Sequence, residues 1–442
     1  MTKKNSDEGL KRVIGVPGLT LTIISGVIGA GIFVLPSTVG NALGAFGIFA
    51  YIVCGILFAS ILLCYAEIGS RTTTSGGSYA YVEAAFGDPA GYIINWFYFF
   101  GWSIIGSAAL MNIVADSLSV IFPVFTTPLG RGLLFFCLTS FMILLNVFGA
   151  KQSLGFLKAI TIIKLLPLLA IIIFGFSHVK TSNLHWEHLP SFKSFSDTSL
   201  ILFFAFAGFE TSLGASGEIK NPKRSVPLSI GIAGVVVLIA YVLLQTVAQG
   251  VLGTQMTVFK DAPLAAVAEK IIGASGATIL LLCAAISCFG NVTLDIFCTP
   301  RSLFAGANDG LFPKFLGKVH PKYATPYIAV IVYGMLIFIF SLAGGFQQLA
   351  IMASAIILLV YLAVVLATIK LRNKKTAEDD KFFKAPGGLV IPVIAIVAIA
   401  WLLTSLGKWE ILSTLIFVVV ILFIYFITKW SKRKAALVEI AK

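Results

Sequence analysis

Ser25-Gly26-Val27-Ile28-Gly29-Ala30-Gly31-Ile32-Phe33 sits in the middle of the first long apolar run, residues 17–39. Gly26, Gly29 and Gly31 fall within six residues at mid-run depth. Two readings compete. Small residues let helices pack closely in lipid. Alternatively the helix breaks here, because glycine tolerates unusual backbone angles and lets a ligand reach the main chain. The half-helix that restarts after a break presents unpaired N–H groups, which attract anions.

A second stretch favours the break. Phe203-Phe204-Ala205-Phe206-Ala207-Gly208-Phe209-Glu210 again places a glycine mid-run, here two residues before a carboxylate. Twelve runs are long enough to cross about 30 Å of hydrocarbon: 17–39, 44–66, 90–114, 130–149, 154–176, 198–219, 226–252, 276–305, 324–343, 345–371, 388–405 and 409–429. The two glycine-interrupted runs are the first and the sixth, each opening a set of five. Interrupted segments at matching places in two halves point to the central site of a transporter. Because five is odd, the second set is expected to be inverted in the membrane.

Composition agrees with lipid as the solvent. The chain has 442 residues, 58% of them hydrophobic and 12% charged, with a mean hydropathy of +0.99. A soluble domain carries about 25% charged residues, and no core of this size buries the remaining apolar surface. The expectation is therefore an all-α polytopic membrane protein. The net charge of +13 is read through the membrane rather than as a nucleic-acid footprint. Basic residues gather on the cytoplasmic side. Alternating the loops puts 25 of them on the side of the N-terminus and 6 on the other, with Lys164 left over inside the fifth run. Both termini are expected in the cytoplasm, and the run at 17–39 reads as a retained span rather than a cleaved signal. The expected organisation is a cytoplasmic segment 1–16, a first repeat 17–176, a second repeat 198–371, two further spans in 388–429 and a cytoplasmic tail 430–442.

At this point the sequence resembles the amino acid–polyamine–organocation (APC) transporters. Gly29-Ala30-Gly31-Ile32-Phe33 looks like their first-helix signature, and Ser75-Gly76-Gly77-Ser78-Tyr79-Ala80-Tyr81 like the loop after their second helix. Gly208-Phe209-Glu210, with Glu218-Ile219-Lys220-Asn221-Pro222-Lys223-Arg224-Ser225-Val226-Pro227, matches the sixth helix and the loop below it. Thr299-Pro300-Arg301, with Asp309-Gly310-Leu311-Phe312-Pro313, matches the end of the eighth. Each motif is weak alone, but together and in order they are specific, and they span about residues 12 to 430. Asn308 departs from the pattern, standing where many members carry Arg. The resemblance implies twelve transmembrane helices in a 5+5 inverted-repeat (LeuT-type) fold with broken helices 1 and 6. It implies a secondary active amino acid transporter of the plasma membrane, proton-coupled or exchanging.

The resemblance also implies a substrate α-carboxylate at the first break. The physics agrees, since N–H groups around Ala30 and Gly31 would point at it from the positive end of a half-helix. Carbonyls near Val27 and Ile28, and from Phe204 through Ala205 and Phe206 to Ala207, would accept from the α-amine. Ser25 and Gly29 complete the first-helix side. Phe204 matches the family's aromatic gate position. Lys164 lies well inside its run, where a lysine costs roughly 2.5–3.5 kcal/mol to insert. In the family, a lysine here stands where sodium-coupled relatives hold a sodium ion between helices one and eight. It would donate to first-helix carbonyls and release its proton during the cycle, which implies sodium-independent transport.

Glu210 and Asp295 have no basic neighbour within a helical turn, so each needs a distant partner or a proton. Glu210 is read as a proton-coupling residue and Asp295 as a reader of the substrate side chain, which leans toward a cationic amino acid or polyamine. Phe204 and Phe206 suit an apolar side chain equally well.

The remaining features carry less. Cys54, Cys64, Cys137, Cys283, Cys288 and Cys298 lie in apolar runs without metal-ligand spacing and read as reduced packing residues. His185-Trp186-Glu187-His188 spaces its histidines three apart, not the four of a zinc-protease helix, and reads as a solvated loop. No cofactor motif, phosphate-binding loop or catalytic acid pair is found. A membrane-embedded enzyme acting on lipid would want clustered His, Asp or Ser near the interface. A membrane amino acid sensor would want an appended signalling domain, and the chain beyond residue 430 is short.

Overall fold

The structure is a computed structural model. It describes residues 12, 14–29, 31–72, 76–148, 150–186, 189–214, 216, 219–260, 262–308, 313–323, 325–373 and 382–440. Among them the chain is all-helical, with one isolated bridge between Ile14 and Ile219. The helices are α1 (Val16–Val27), α2 (Gly31–Leu43), α3 (Gly47–Arg71), α4 (Ser78–Phe86), α5 (Asp88–Ile121), α6 (Pro128–Phe148), α7 (Ala150–Gly175) and α8 (Phe192–Phe206). They continue with α9 (Phe209–Leu213), α10 (Pro222–Leu252), α11 (Pro263–Ile272), α12 (Ala274–Asn308), α13 (Tyr327–Ala343), α14 (Phe346–Asn373), α15 (Val390–Thr404) and α16 (Lys408–Ile440). Eight helical stretches among the described residues are long and apolar enough to cross a membrane, and four shorter apolar helices accompany them. The protein is a multi-pass membrane protein. The last helix runs on to Ile440, past the end expected at 429.

The expected first and sixth spans are each two helices. α1 stops at Val27, Ile28 donates its N–H to Ile24 O at 2.8 Å, and Gly29 N–H turns back onto Val27 O at 2.8 Å. Helical backbone resumes at Gly31. α8 ends at Phe206, Ala207 is extended, and Gly208 takes φ +113° before the five-residue α9. A Cβ on Gly208 would stand 2.6 Å from Gly26 O, and one on Gly26 would stand 2.9 Å from Gly208 O. The two breaks therefore touch main chain to main chain, and glycine at both positions is what allows it.

Around the breaks the packing is crosswise: α1 lies against α9, and α2 against α8. α10 runs beside α1 and α3, while α12 is flanked by α5 and α7. Beneath α9, Phe58, Tyr65, Phe209 and Tyr361 form a cluster of edge-on and tilted rings with centroids 4.8–6.3 Å apart. Such pairs add about 0.5–1.5 kcal/mol each beyond area burial, and they hold α3, α9 and α14 together. None of the six cysteines is in a disulfide among the described residues, and four are buried.

Candidate functional site

A cavity of about 70 Å³ opens where the two interruptions meet, several times the space one water needs. Gly26, Val27, Gly29 and Gly31 line one side, and Phe204, Ala207, Gly208 and Thr211 another. The remaining wall comes from Trp102, Gly106, Ser107 and Leu110 of α5 and from Asn291, Leu294 and Asp295 of α12. Gly31, the first residue of α2, lies on this surface, so the positive end of α2 faces the cavity. In α5 the helix loosens to i→i+5 bonding over Phe97–Ile104, a distortion common at functional sites. That stretch carries Trp102 to the cavity, Ser103 to Asp295 and Tyr98 to Thr211.

Of the residues singled out from sequence, Val27, Gly29, Gly31, Phe204, Ala207 and Asp295 line the cavity. Ala30 lies outside the described residues, as do Ser75, Gly217, Glu218 and 309–312 of the motifs and Glu187 and His188 of the outer loop. Ser25, Ile28, Ala205 and Phe206 stand behind the lining. Ser25 instead offers its carbonyl to Lys164 and its hydroxyl to Thr161 Oγ1 at 3.1 Å. Ala205 packs against Gly31, where a Cβ would meet its own at 2.8 Å. Phe206 lies between Phe58 and Tyr241, tilted against both rings. Two of the carbonyls expected to be free have a donor: Tyr241 OH reaches Val27 O at 3.1 Å and Ala205 O at 2.8 Å. Tyr241, which no local motif marks, thus ties the two breaks together from α10. Phe204 meets Trp102 at 5.6 Å and Phe346 at 5.8 Å between ring centroids.

Lys164 is completely buried. Its Nζ donates to Ser25 O at 2.5 Å and to Asn291 Oδ1 at 2.9 Å. One ammonium therefore joins α7 to α1 and α12 at the level of the break. Among the described residues, the two acids find hydroxyl and main-chain partners rather than cations. Glu210 Oε2 accepts from Gly208 N at 3.1 Å and Tyr361 OH at 2.8 Å. Its Oε1 is buried without a partner among the described residues. Asp295 Oδ2 accepts from Ser107 Oγ at 2.7 Å, Ser103 Oγ at 3.0 Å and Tyr333 OH at 3.4 Å.

Sequence reading passes over one buried acid. Glu67, at the end of α3, is wholly buried. It accepts from Arg372 Nε at 2.8 Å, from the Arg372 terminal nitrogen and from Ala385 N at 2.9 Å. Arg372 lies 305 residues away, so no local pattern announces the pair. Next to it, Phe382 lies under Arg71 at 5.4 Å and Lys223 at 4.6 Å.

Interrupted helices meeting around a small, mostly apolar cavity, with Ser107, Thr211, Asn291 and Asp295 as its polar points, define a membrane protein with an enclosed small-molecule site. The comparisons with known proteins agree. The profile described as amino acid permease matches residues 14–431, and the chain belongs to the amino acid permease family, whose work is amino acid transport. The chain is 28% identical to the branched-chain amino acid permease of Bacillus subtilis, over 98% of this chain and 96% of the relative. It is also 28% identical to the methylthioribose transporter of the same organism, over 99% and 97%. With cationic amino acid transporter 4 of Mus musculus it shares 27% identity over 86% of this chain and 63% of the relative. The three names carry three kinds of cargo, so kinship sets the task and leaves the cargo to the cavity.

Proposed function

We propose that the chain is a secondary active, sodium-independent amino acid transporter working by alternating access around the cavity between the two breaks. Twelve spans would form a 5+5 inverted repeat, 17–176 and 198–371, followed by 388–429. The crosswise contact of α1 with α9 and of α2 with α8 is what antiparallel partners would give. The protein would sit in the plasma membrane with both termini cytoplasmic, as the basic residues of its loops favour. The substrate carboxylate would lie at the start of α2 and the amine near α8, with Phe204 closing over the cargo.

The observation that carries this reading is Lys164. Its ammonium occupies the junction of α1, α7 and α12 and supplies there the positive charge that a bound sodium ion would otherwise bring. Uptake into proteoliposomes, with sodium replaced by choline at constant pH, is expected to stay unchanged; collapse of uptake contradicts the reading. Counterflow with and without a pH gradient separates proton coupling, for which Glu210 is the candidate, from exchange.

Asp295 favours a second reading, antiport of a cationic amino acid or polyamine. Asp295 lines the cavity, where a cationic side chain would pair with its carboxylate. Asp295→Asn is then expected to lower the preference for L-arginine over L-leucine by about tenfold or more. An unchanged ratio removes Asp295 from recognition.

A further inference from the structure

Asn291 joins Lys164 to the cavity, and its chemistry leaves one orientation. An ammonium only donates, so the atom facing Lys164 Nζ at 2.9 Å must be the amide oxygen. The amide nitrogen then faces the opposite way. It lies 2.6 Å from where a Cβ on Gly29 would stand, and Asn291 is part of the cavity lining. Among the described residues Nδ2 has no acceptor. A hydrogen-bond donor backed by a buried ammonium is thus aimed at the lip of the first break.

We propose that Asn291 is a specificity-determining residue that donates from Nδ2 to the carboxylate of the cargo and links its arrival to Lys164. This rests on the reading that the cargo carboxylate sits at the first break. The start of α2 and Nδ2 would hold the anion from two sides, through main chain and side chain. The amide passes the pull on: a carboxylate drawing on Nδ2 polarises the amide and strengthens its oxygen as an acceptor for Lys164. Occupancy of the cavity therefore tightens the junction of α7 and α12, and a solute without a carboxylate leaves that junction as it is.

Asn291→Asp tests this with little change of shape. One carboxylate oxygen keeps the bond from Lys164, and the other replaces a donor with a negative charge facing the cavity. The experiment measures ligand-dependent thermal stabilisation of the purified full-length protein, titrated with L-leucine, L-serine and L-arginine and with the carboxamide of each. The expected result is that Asn291→Asp weakens the acids by about tenfold or more and leaves the carboxamides within about twofold. Asn291→Leu should weaken the acids in the same direction. Equal losses for acids and carboxamides, or no loss, overturn the proposal. So does wild-type protein that answers to carboxamides as strongly as to acids. Phe204→Ala serves as the control for the cavity itself: titrations unchanged in that variant mean that the cargo binds elsewhere, and the reading beneath the proposal falls with it.

Discussion

Removing the Lys164 ammonium should separate holding the cargo from moving it. Lys164→Ala deletes two hydrogen bonds from a charged donor, at 2.5 and 2.9 Å. Such bonds contribute about 1.5–3 kcal/mol each, so about 3–6 kcal/mol of attachment between α7 and the α1–α12 pair disappears. Bonds made in one conformation and broken in the opposite-facing one bias the equilibrium between the two by the same amount, roughly 10²–10⁴-fold. Lys164 does not line the cavity, so affinity is expected to change by less than about tenfold while net uptake falls by about a hundredfold or more. Time courses in proteoliposomes measure uptake, and ligand-dependent thermal stabilisation measures affinity. Lys164→Met keeps the apolar stem and drops only the charge, which distinguishes a lost tether from a collapsed void. Variants that transport at the wild-type rate, or that lose binding and uptake in step, refute the reasoning.

Three further outcomes are expected. Gly208→Ala puts a Cβ 2.6 Å from Gly26 O at φ +113°; strain of about 1–3 kcal/mol from the backbone alone should lower the melting temperature and abolish uptake, and a variant as stable as wild type would mean that the breaks do not touch. Arg372→Met takes from the buried Glu67 carboxylate the cation that hydrogen-bonds it and leaves only Arg71, at 3.8 Å, at a cost of up to about 3 kcal/mol, whereas Glu67→Gln with Arg372→Met should return most of that stability; a double-mutant cycle with no coupling contradicts the pair. Wild-type uptake should rise as external pH falls, because more protons are available to enter with the cargo, and Glu210→Gln should flatten that profile; an unchanged profile removes Glu210 from coupling.

Both helix interruptions were legible in sequence, because Gly26, Gly29, Gly31 and Gly208 are costly in a helix unless the backbone needs them. The burial of Lys164 was legible too, since the apolar residues around it leave little else for a lysine to do. Its two partners were not. Ser25 entered the sequence reading as a substrate residue and turns out to give its carbonyl to Lys164. Asn291 is a mid-helix amide with no pattern of its own. Tyr241, Tyr361 and Arg372 escaped for the same physical reason. Their partners lie 36 to 305 residues away, and helical periodicity reports which face is buried but not which distant atom it meets. The crowding that turns Phe206 away from the cavity was equally invisible, because consecutive phenylalanines look alike until the break fixes which ring faces inward.

The most direct test is an experimental structure of the protein with a transported amino acid bound. The account predicts density for the ligand between the break after Val27 and the turn at 207–208, its carboxylate at the start of α2 within reach of Asn291 Nδ2. Ligand density elsewhere, or two unbroken helices in place of α1–α2 and α8–α9, would contradict it.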